Sequence, residues 1–330
     1  MIKKLVQHKG GLHNRITQRI ILQPFDLADT KEFLQVNSIK FNTKQILQIY
    51  LCMGGIPYYL KQLRADLSAA QNINQLCFQA AGLLSDEFTK LFASLFKKSA
   101  IYIELITIIA QSRSGISRQQ INTQSTLTQN GGLLTDKLKD LEATGFIKSL
   151  LPLGNKKKGL YYKVIDEYCL FYLKWIEPIT QTFLQQETTH NYWEAQANSP
   201  SYHSWSGYAF EALCYKHIHT IRTKLNIPAN AISGTWRHTA NTTNATGAQI
   251  DLLFDRDDDI ITICEIKCTA TPFVIDKTYY HNILNKIAVY KKITKTTKQI
   301  VVAFISATGI KPTVYSEEIC TAMVTLEDLF

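Results

Sequence analysis

Gly247-Ala-Gln-Ile-Asp-Leu-Leu-Phe-Asp255, the turn Arg256-Asp-Asp-Asp259, and then Ile263-Cys-Glu-Ile-Lys267 decide the fold of the carboxy-terminal part of this chain. The run predicts two β-strands joined by a tight acidic turn. Side chains alternate along a strand, so Gln249, Asp251 and Leu253 are expected on one face and Ala248, Ile250, Leu252 and Phe254 on the other. Glu265 and Lys267 share a face, with Ile266 pointing away. Folding about the turn sets Asp251 opposite or nearly opposite Glu265. Like charges placed that way repel unless a cation or a lysine offsets them. Two carboxylates and a lysine on adjacent strands suit a hard divalent metal and a basic group. A one-residue slip would carry both carboxylates into the core, which is costly without partners.

The spacing D-x13-E-x-K resembles the PD-(D/E)xK nuclease site. That resemblance implies a further acidic residue from an earlier helix. The candidate is Glu211 in Ser204-Trp-Ser-Gly-Tyr-Ala-Phe-Glu211, where Phe210, Leu213, Cys214, His217, Ile218 and Ile221 recur at helical spacing and Glu211 borders the stripe. By resemblance, Asp251 and Glu265 bind Mg²⁺ with the Ile266 carbonyl as a third ligand, and Glu211 assists through water. Lys267 positions or deprotonates the attacking water and Gln249 orients the site. The expectation is that Glu211, Asp251 and Glu265 converge within metal-binding reach, with Lys267 in the same cleft. Asp251 and Glu265 on opposite faces of the sheet would end the nuclease-like reading.

The chain has 330 residues, enough for about two or three domains. With 45% hydrophobic and 19% charged residues it can bury ordinary cores. A net charge of +9 favours an anionic partner, DNA first. Basic residues cluster at Lys156, Lys157 and Lys158 and again at Lys286, Lys291, Lys292, Lys295 and Lys298. The seven cysteines contain no Cys-x2-Cys pair, which argues against zinc and reads as the buried thiols of a cytoplasmic protein. The sequence predicts neither a signal peptide nor a membrane span, which needs about 18 consecutive apolar residues.

Outward from the hairpin, residues 15–23 read as a strand closed by Pro24. Residues 24–97 read as short helices, one from Asp29-Thr30, one from Thr43 to Cys52 stopped by Gly54-Gly55, and one opened by Pro57. Residues 98–165 read as a winged helix: an apolar helix Ile101–Ala110, a second helix capped by Ser117, a third over 130–144, and two strands around Gly154-Asn-Lys-Lys-Lys-Gly159. A lysine-tipped wing would touch phosphate. Asp166 to Pro178 is an aromatic-rich helix read as packing core, and 184–203 as a linker. Residues 204–330 are the mixed α/β unit, with Val301–Ser306 as a further strand. No Gly-Lys pair occurs, so there is no Walker A loop.

These stretches together resemble the carboxy-terminal part of prokaryotic AAA+/STAND-type ATPases, which join a P-loop core, a helical lid, a winged helix and a restriction-endonuclease-like domain. The resemblance is carried by Gly10-Gly-Leu-His-Asn-Arg-Ile-Thr-Gln-Arg-Ile20, Gly54-Gly-Ile-Pro-Tyr-Tyr-Leu60, Asp166-Glu-Tyr-Cys-Leu-Phe-Tyr172, Ser204–Glu211, Gly247–Leu253 and Thr325-Leu-Glu-Asp-Leu-Phe330. It implies a remnant of the P-loop core at 1–23, a lid at 24–97, a winged helix at 98–165, a connecting helix and linker at 166–203, and a nuclease-like domain at 204–330. Gly55 and Pro57 would lie against a nucleotide base. Without Walker A and B segments, ATP enters only with a missing or partner-supplied P-loop core, and ATP hydrolysis by this chain alone is not expected. The functional expectation is a DNA-associated protein with a Mg²⁺-dependent endonuclease-like domain. The alternative is a non-catalytic regulatory remnant, or a subunit acting with an ATPase-core partner or as a homo-oligomer.

Overall fold

The computed structural model describes residues 20, 22–79, 81–127, 131–153, 159–179, 191–238 and 247–330. Lys156, Lys157 and Lys158 lie outside the described residues, as does most of the expected strand at 15–23. Residues 20, 22 and 23 have no regular structure.

Among the described residues five helices come first: α1 (Leu27–Val36), α2 (Thr43–Met53), α3 (Pro57–Leu60), α4 (Ala69–Cys77) and α5 (Glu87–Leu95). Their starts are written in the sequence. The Asp26 carboxylate accepts from the Asp29 N–H at 2.8 Å. Asn42 with Gln45, and Ser68 with Gln71, form reciprocal capping boxes. After α2 the chain crosses its own entry segment. Gly54 has φ +64°, and a Cβ on Gly55 would fall 1.9 Å from the Phe25 carbonyl oxygen. Only glycine fits such a crossing.

The next elements are α6 (Ser99–Ala110), β1 (Ile116–Ser117), α7 (Arg118–Gln124), α8 (Gly131–Ala143), β2 (Ile147–Leu150) and β3 (Tyr161–Val164). The three strands form an antiparallel sheet in the order β1-β3-β2. Ser117 caps α7, again through a box with Gln120. Helix α9 (Glu167–Phe171) then runs into a π-helical turn over Tyr172–Ile176. Its aromatic residues are core: Phe171 and Trp175 pack edge-on against Trp193 and Trp205.

The stretch expected to be a linker up to residue 203 is, in its described part, mostly helical. Helix α10 (Tyr192–Gln196) buries Trp193, and α11 spans Pro200–Lys216. Asn198-Ser-Pro200 is a helix start: the Ser199 hydroxyl oxygen accepts from the Tyr202 N–H at 3.1 Å, and Pro200 occupies the first helical position. The same residue types mark loops and helix beginnings, and here the buried Trp193 and Trp205 on either side decide for helix.

After α12 (Ile218–Lys224) come β4 (Ile232–His238), β5 (Ala248–Asp255), β6 (Ile260–Lys267), β7 (Phe273–Val274), α13 (Lys277–Thr294), β8 (Gln299–Ser306), β9 (Ile310–Lys311), α14 (Val314–Ile319) and β10 (Cys320–Thr325). Five of these strands form one mixed sheet in the order β10-β8-β6-β5-β4. Strands β4, β5 and β6 are an antiparallel meander, while β8 runs parallel to β6 and β10 parallel to β8. Helices cover both faces. Leu252, Phe254, Cys264, Ala303 and Ile305 join the α11 residues Phe210 and Leu213 in an apolar core that continues into the amino-terminal helices. On the other face Ile250, Leu253, Ile261 and Ile263 pack with Trp236 and the α13 residue Tyr290, and Val302 and Phe304 pack with Ile283.

The β5–β6 hairpin turns at 256–259 as read, but its face assignment needs correction. Ile250 packs on the α13 face with Leu253, whereas Leu252 and Phe254 pack on the α11 face. The cause is a bulge in β5. Gly234 pairs with Leu253 and Trp236 with Ile250, so Asp251 and Leu252 stand opposite Thr235 alone. One extra residue reverses the alternation.

The two sheets meet at β4. The Leu153 N–H donates to the Thr235 carbonyl at 2.9 Å, Pro152 bridges Thr235 in parallel, and the buried Tyr161 hydroxyl donates to Thr235 Oγ1 at 2.5 Å. Among the described residues no helix is long and apolar enough to cross a membrane. All seven cysteines are free thiols.

Candidate functional site

Where β5 and β6 separate, a cavity of about 340 Å³ opens between α11, β5, the end of β6 and the loop after α6. Glu211, Gln249, Asp251, Ile266, Lys267 and Arg113 are among the residues that wall it. Five of these were singled out from the sequence. The sixth, Arg113, donates to Ser204 Oγ at 2.9 Å.

The bulge turns Asp251 toward α11. Its Oδ1 accepts from Gln249 Nε2 at 2.5 Å, and its backbone carbonyl accepts from the Tyr215 hydroxyl at 2.7 Å. Glu211 projects from α11 beside it. Burial, then the neighbouring Asp251 charge, pushes the Glu211 carboxyl up to about 7, with Lys163 and Lys267 opposing the shift. Glu211 and Asp251 thus wall the same cavity.

Glu265 does not join them. It pairs across the ladder with Phe304 and points, like Phe304, toward α13. There its Oε2 accepts from the Tyr279 hydroxyl at 2.6 Å and its Oε1 pairs with Lys286. The last β5–β6 pair is Leu252 with Cys264, so an unbulged strand would have set Asp251 beside Glu265. The bulge places the two carboxylates on opposite sides of the sheet. Among the described residues no group of three or more His, Cys, Asp or Glu side chains could hold a metal ion. The expected metal set of Asp251, Glu265 and the Ile266 carbonyl is thus not assembled in this conformation, and a Mg²⁺ ion does not fit these residues as they stand.

Lys267 occupies the border between the two sides. Its ammonium lies 4.6 Å from the Tyr279 ring centroid and 5.1 Å from that of Phe273. Burial pushes its pKa down, with Glu265 the strongest opposing influence. Burial also pushes the Tyr279 phenol up, and Glu265 adds to it.

The residue that sequence reasoning missed is Lys163. It reaches across from β3, and its Nζ lies 3.6 Å from Glu211 Oε2 and 4.0 Å from Asp251 Oδ1. Its side chain is only 3% exposed, and the Nζ has no hydrogen-bond partner. The only signal in the sequence is a lysine inside the apolar run Tyr161-Tyr-Lys-Val164.

The other expected sites are placed as follows. In the basic cluster, Lys286 is taken by Glu265, and Lys298 pairs with Asp255 at 2.7 Å, leaving Lys291, Lys292 and Lys295 exposed. Gly55 is buried at the Phe25 crossing and Pro57 is exposed at the start of α3. Neither is among the residues walling the neighbouring cavity of about 790 Å³, to which Ile56, Tyr50, Asp166, Lys216 and His217 contribute.

No family model matches the chain. It is 24% identical over 263 residues to an uncharacterised protein of Methanocaldococcus jannaschii, an alignment covering 78% of this chain and 55% of that protein. The chain therefore spans about half the length of the curated relative it matches. Among solved structures it is similar to a Walker-type ATPase of Pyrococcus abyssi, with a TM-score of 0.33 and 16% identity, over 52% of this chain and 48% of that one. It is also similar to a protein of Vibrio cholerae, with a TM-score of 0.27 and 11% identity, over 96% of this chain and 62% of that one.

Proposed function

We propose that this chain is a DNA-associated, non-catalytic regulatory relative of the AAA+/STAND-type ATPases, and that residues 204–330 are a PD-(D/E)xK-like unit without its metal set, since Asp251 and Glu265 face opposite sides of the sheet. In this reading residues 24–97 are a lid, 98–165 a winged helix and 166–203 the connection. One observation carries the proposal. A helix bearing Glu211 precedes an antiparallel meander bearing Asp251, Glu265 and Lys267, and the meander is followed by a covering helix and a parallel strand. The net charge of +9 supports the DNA partner.

In this structure the residues of the expected site stand apart. Glu211 and Asp251 share one cleft, Lys267 stands at its rim, and Glu265 is held by α13. The deciding assay is cleavage of plasmid or branched DNA with Mg²⁺ or Mn²⁺. DNA binding without cleavage in either metal is expected; cleavage lost in both Asp251→Ala and Lys267→Ala would restore the nuclease reading, and cleavage that survives both belongs to a contaminant. DNA affinity is expected to fall steeply with salt, because bound phosphates release counterions. The Glu265–Lys286 pair, which holds Glu265 on the α13 side, supports the same reading.

A further inference from the structure

We infer that Lys163 is an internal counter-cation: its ammonium stands between Glu211 and Asp251 in place of a divalent ion, so docking of the three-stranded sheet and cation binding at this pair exclude each other. The inference rests on reading Glu211 and Asp251 as a cation pair and does not require cleavage.

Three observations support it. The first is the fit of the charge. A lysine recruited for a structural ion pair closes to about 2.7–2.9 Å and donates hydrogen bonds. Lys163 stays at 3.6 and 4.0 Å, buried and without a hydrogen bond, so it neutralises the pair electrostatically without being anchored by it. The second is how the side chain is held. The ammonium lies 5.5 Å from the Tyr215 ring centroid, and the same Tyr215 hydroxyl fixes the Asp251 backbone. Neighbouring Tyr161 is bonded to Thr235 of the opposite sheet. On the other side Gly115 packs so closely that a Cβ there would meet the Tyr161 ring at 2.3 Å and Lys163 Cγ at 3.2 Å. The third is origin. Lys163 belongs to the three-stranded sheet, while both carboxylates belong to α11 and the five-stranded sheet. Any movement between the two sheets withdraws the charge from the pair.

The test uses the full chain and Mn²⁺ as the probe, by calorimetry and by thermal unfolding with and without Mn²⁺. Lys163→Met and Lys163→Gln are expected to bind Mn²⁺ at least about tenfold more tightly than wild type, within the usual range of coupling between sites. Adding Asp251→Asn should abolish that gain. Equal Mn²⁺ affinity in wild type and variants, or a gain that survives Asp251→Asn, overturns the inference. Should both Lys163 variants fail to fold, Thr235→Val serves instead, since it loosens the docking without touching the charges. A several-fold tighter Mn²⁺ affinity supports the inference, and an unchanged affinity overturns it. The failures are separable. Tighter Mn²⁺ binding in Lys163→Met with no DNA cleavage keeps the counter-cation and ends the nuclease reading. Cleavage by wild type with unaltered Mn²⁺ affinity in the variants restores the nuclease reading and ends the counter-cation.

Discussion

Two lysine–glutamate contacts tie α11 to the elements before it, and they are built differently. Lys216 on α11 donates to Glu167 on α9 at 2.6 Å, with only 3% of the Glu167 side chain exposed. Lys163 on β3 faces Glu211 on α11 at 3.6 Å, with 26% of the Glu211 side chain exposed. The first is a closed, hydrogen-bonded staple between two helices. The second is a loose charge against a pair of carboxylates that water can reach. Geometry separates a contact that holds the fold from one that holds a site shut.

The difference can be broken by mutation. Glu167→Ala should have the largest effect, since removing one partner of a buried pair costs about 3–5 kcal/mol. Urea unfolding measures it, and a loss no larger than that of Lys163→Met would erase the distinction. Lys163→Met should cost less than Glu167→Ala, because its carboxylate partners stay partly exposed and no hydrogen bond is lost. Thermal unfolding with added Mn²⁺ sharpens the same point: Mn²⁺ should restore Lys163→Met and leave Glu167→Ala unchanged.

The pH response gives a further test. The Glu211 carboxyl is pushed up to about 7 in the fold, against about 4.3 when unfolded. The native state then binds the extra proton, so this contribution to stability is complete below the unfolded value and is lost as pH rises through about 7. Lys163, Asp251 and Lys267 are the charges facing it. The melting temperature of wild type relative to Glu211→Gln should fall between about pH 4 and 7, and a constant difference across that range would refute it. Thr235→Val should cost about 0.5–1.5 kcal/mol for the lost Tyr161 hydrogen bond. A double-mutant cycle with Tyr161→Phe checks it.

How much of this could be read from the sequence depended on distance along the chain. The hairpin, its acidic turn, the Ser117 cap and the strand at 301–306 follow from local pattern and turn chemistry, and they stand where that pattern puts them. The helical Glu211 and the strand residues Gln249, Asp251 and Lys267 do wall one cavity. The position of Glu265 was not legible, because the bulge that reverses β5 is set by its pairing with Gly234 and Trp236 on a different strand. Lys163 was not legible either. A lysine in a short strand ordinarily faces water, and nothing near it in sequence announces carboxylates from residues 211 and 251. The helical character of 192–203 was hidden because Asn-Ser-Pro signals a loop as readily as a helix start.

The contact of Pro152 and Leu153 with Thr235 has one more consequence. β4 is an outer strand of the five-stranded sheet, and outer strands invite pairing with foreign chains. Here Pro152 and Leu153 meet the strand at Thr235, and the proline has no N–H to offer for further pairing. Withdrawing the three-stranded sheet to free Lys163 would also strip this cover from β4. Opening the site and exposing an adhesive edge are then one event, and the open form would carry a built-in tendency to self-associate.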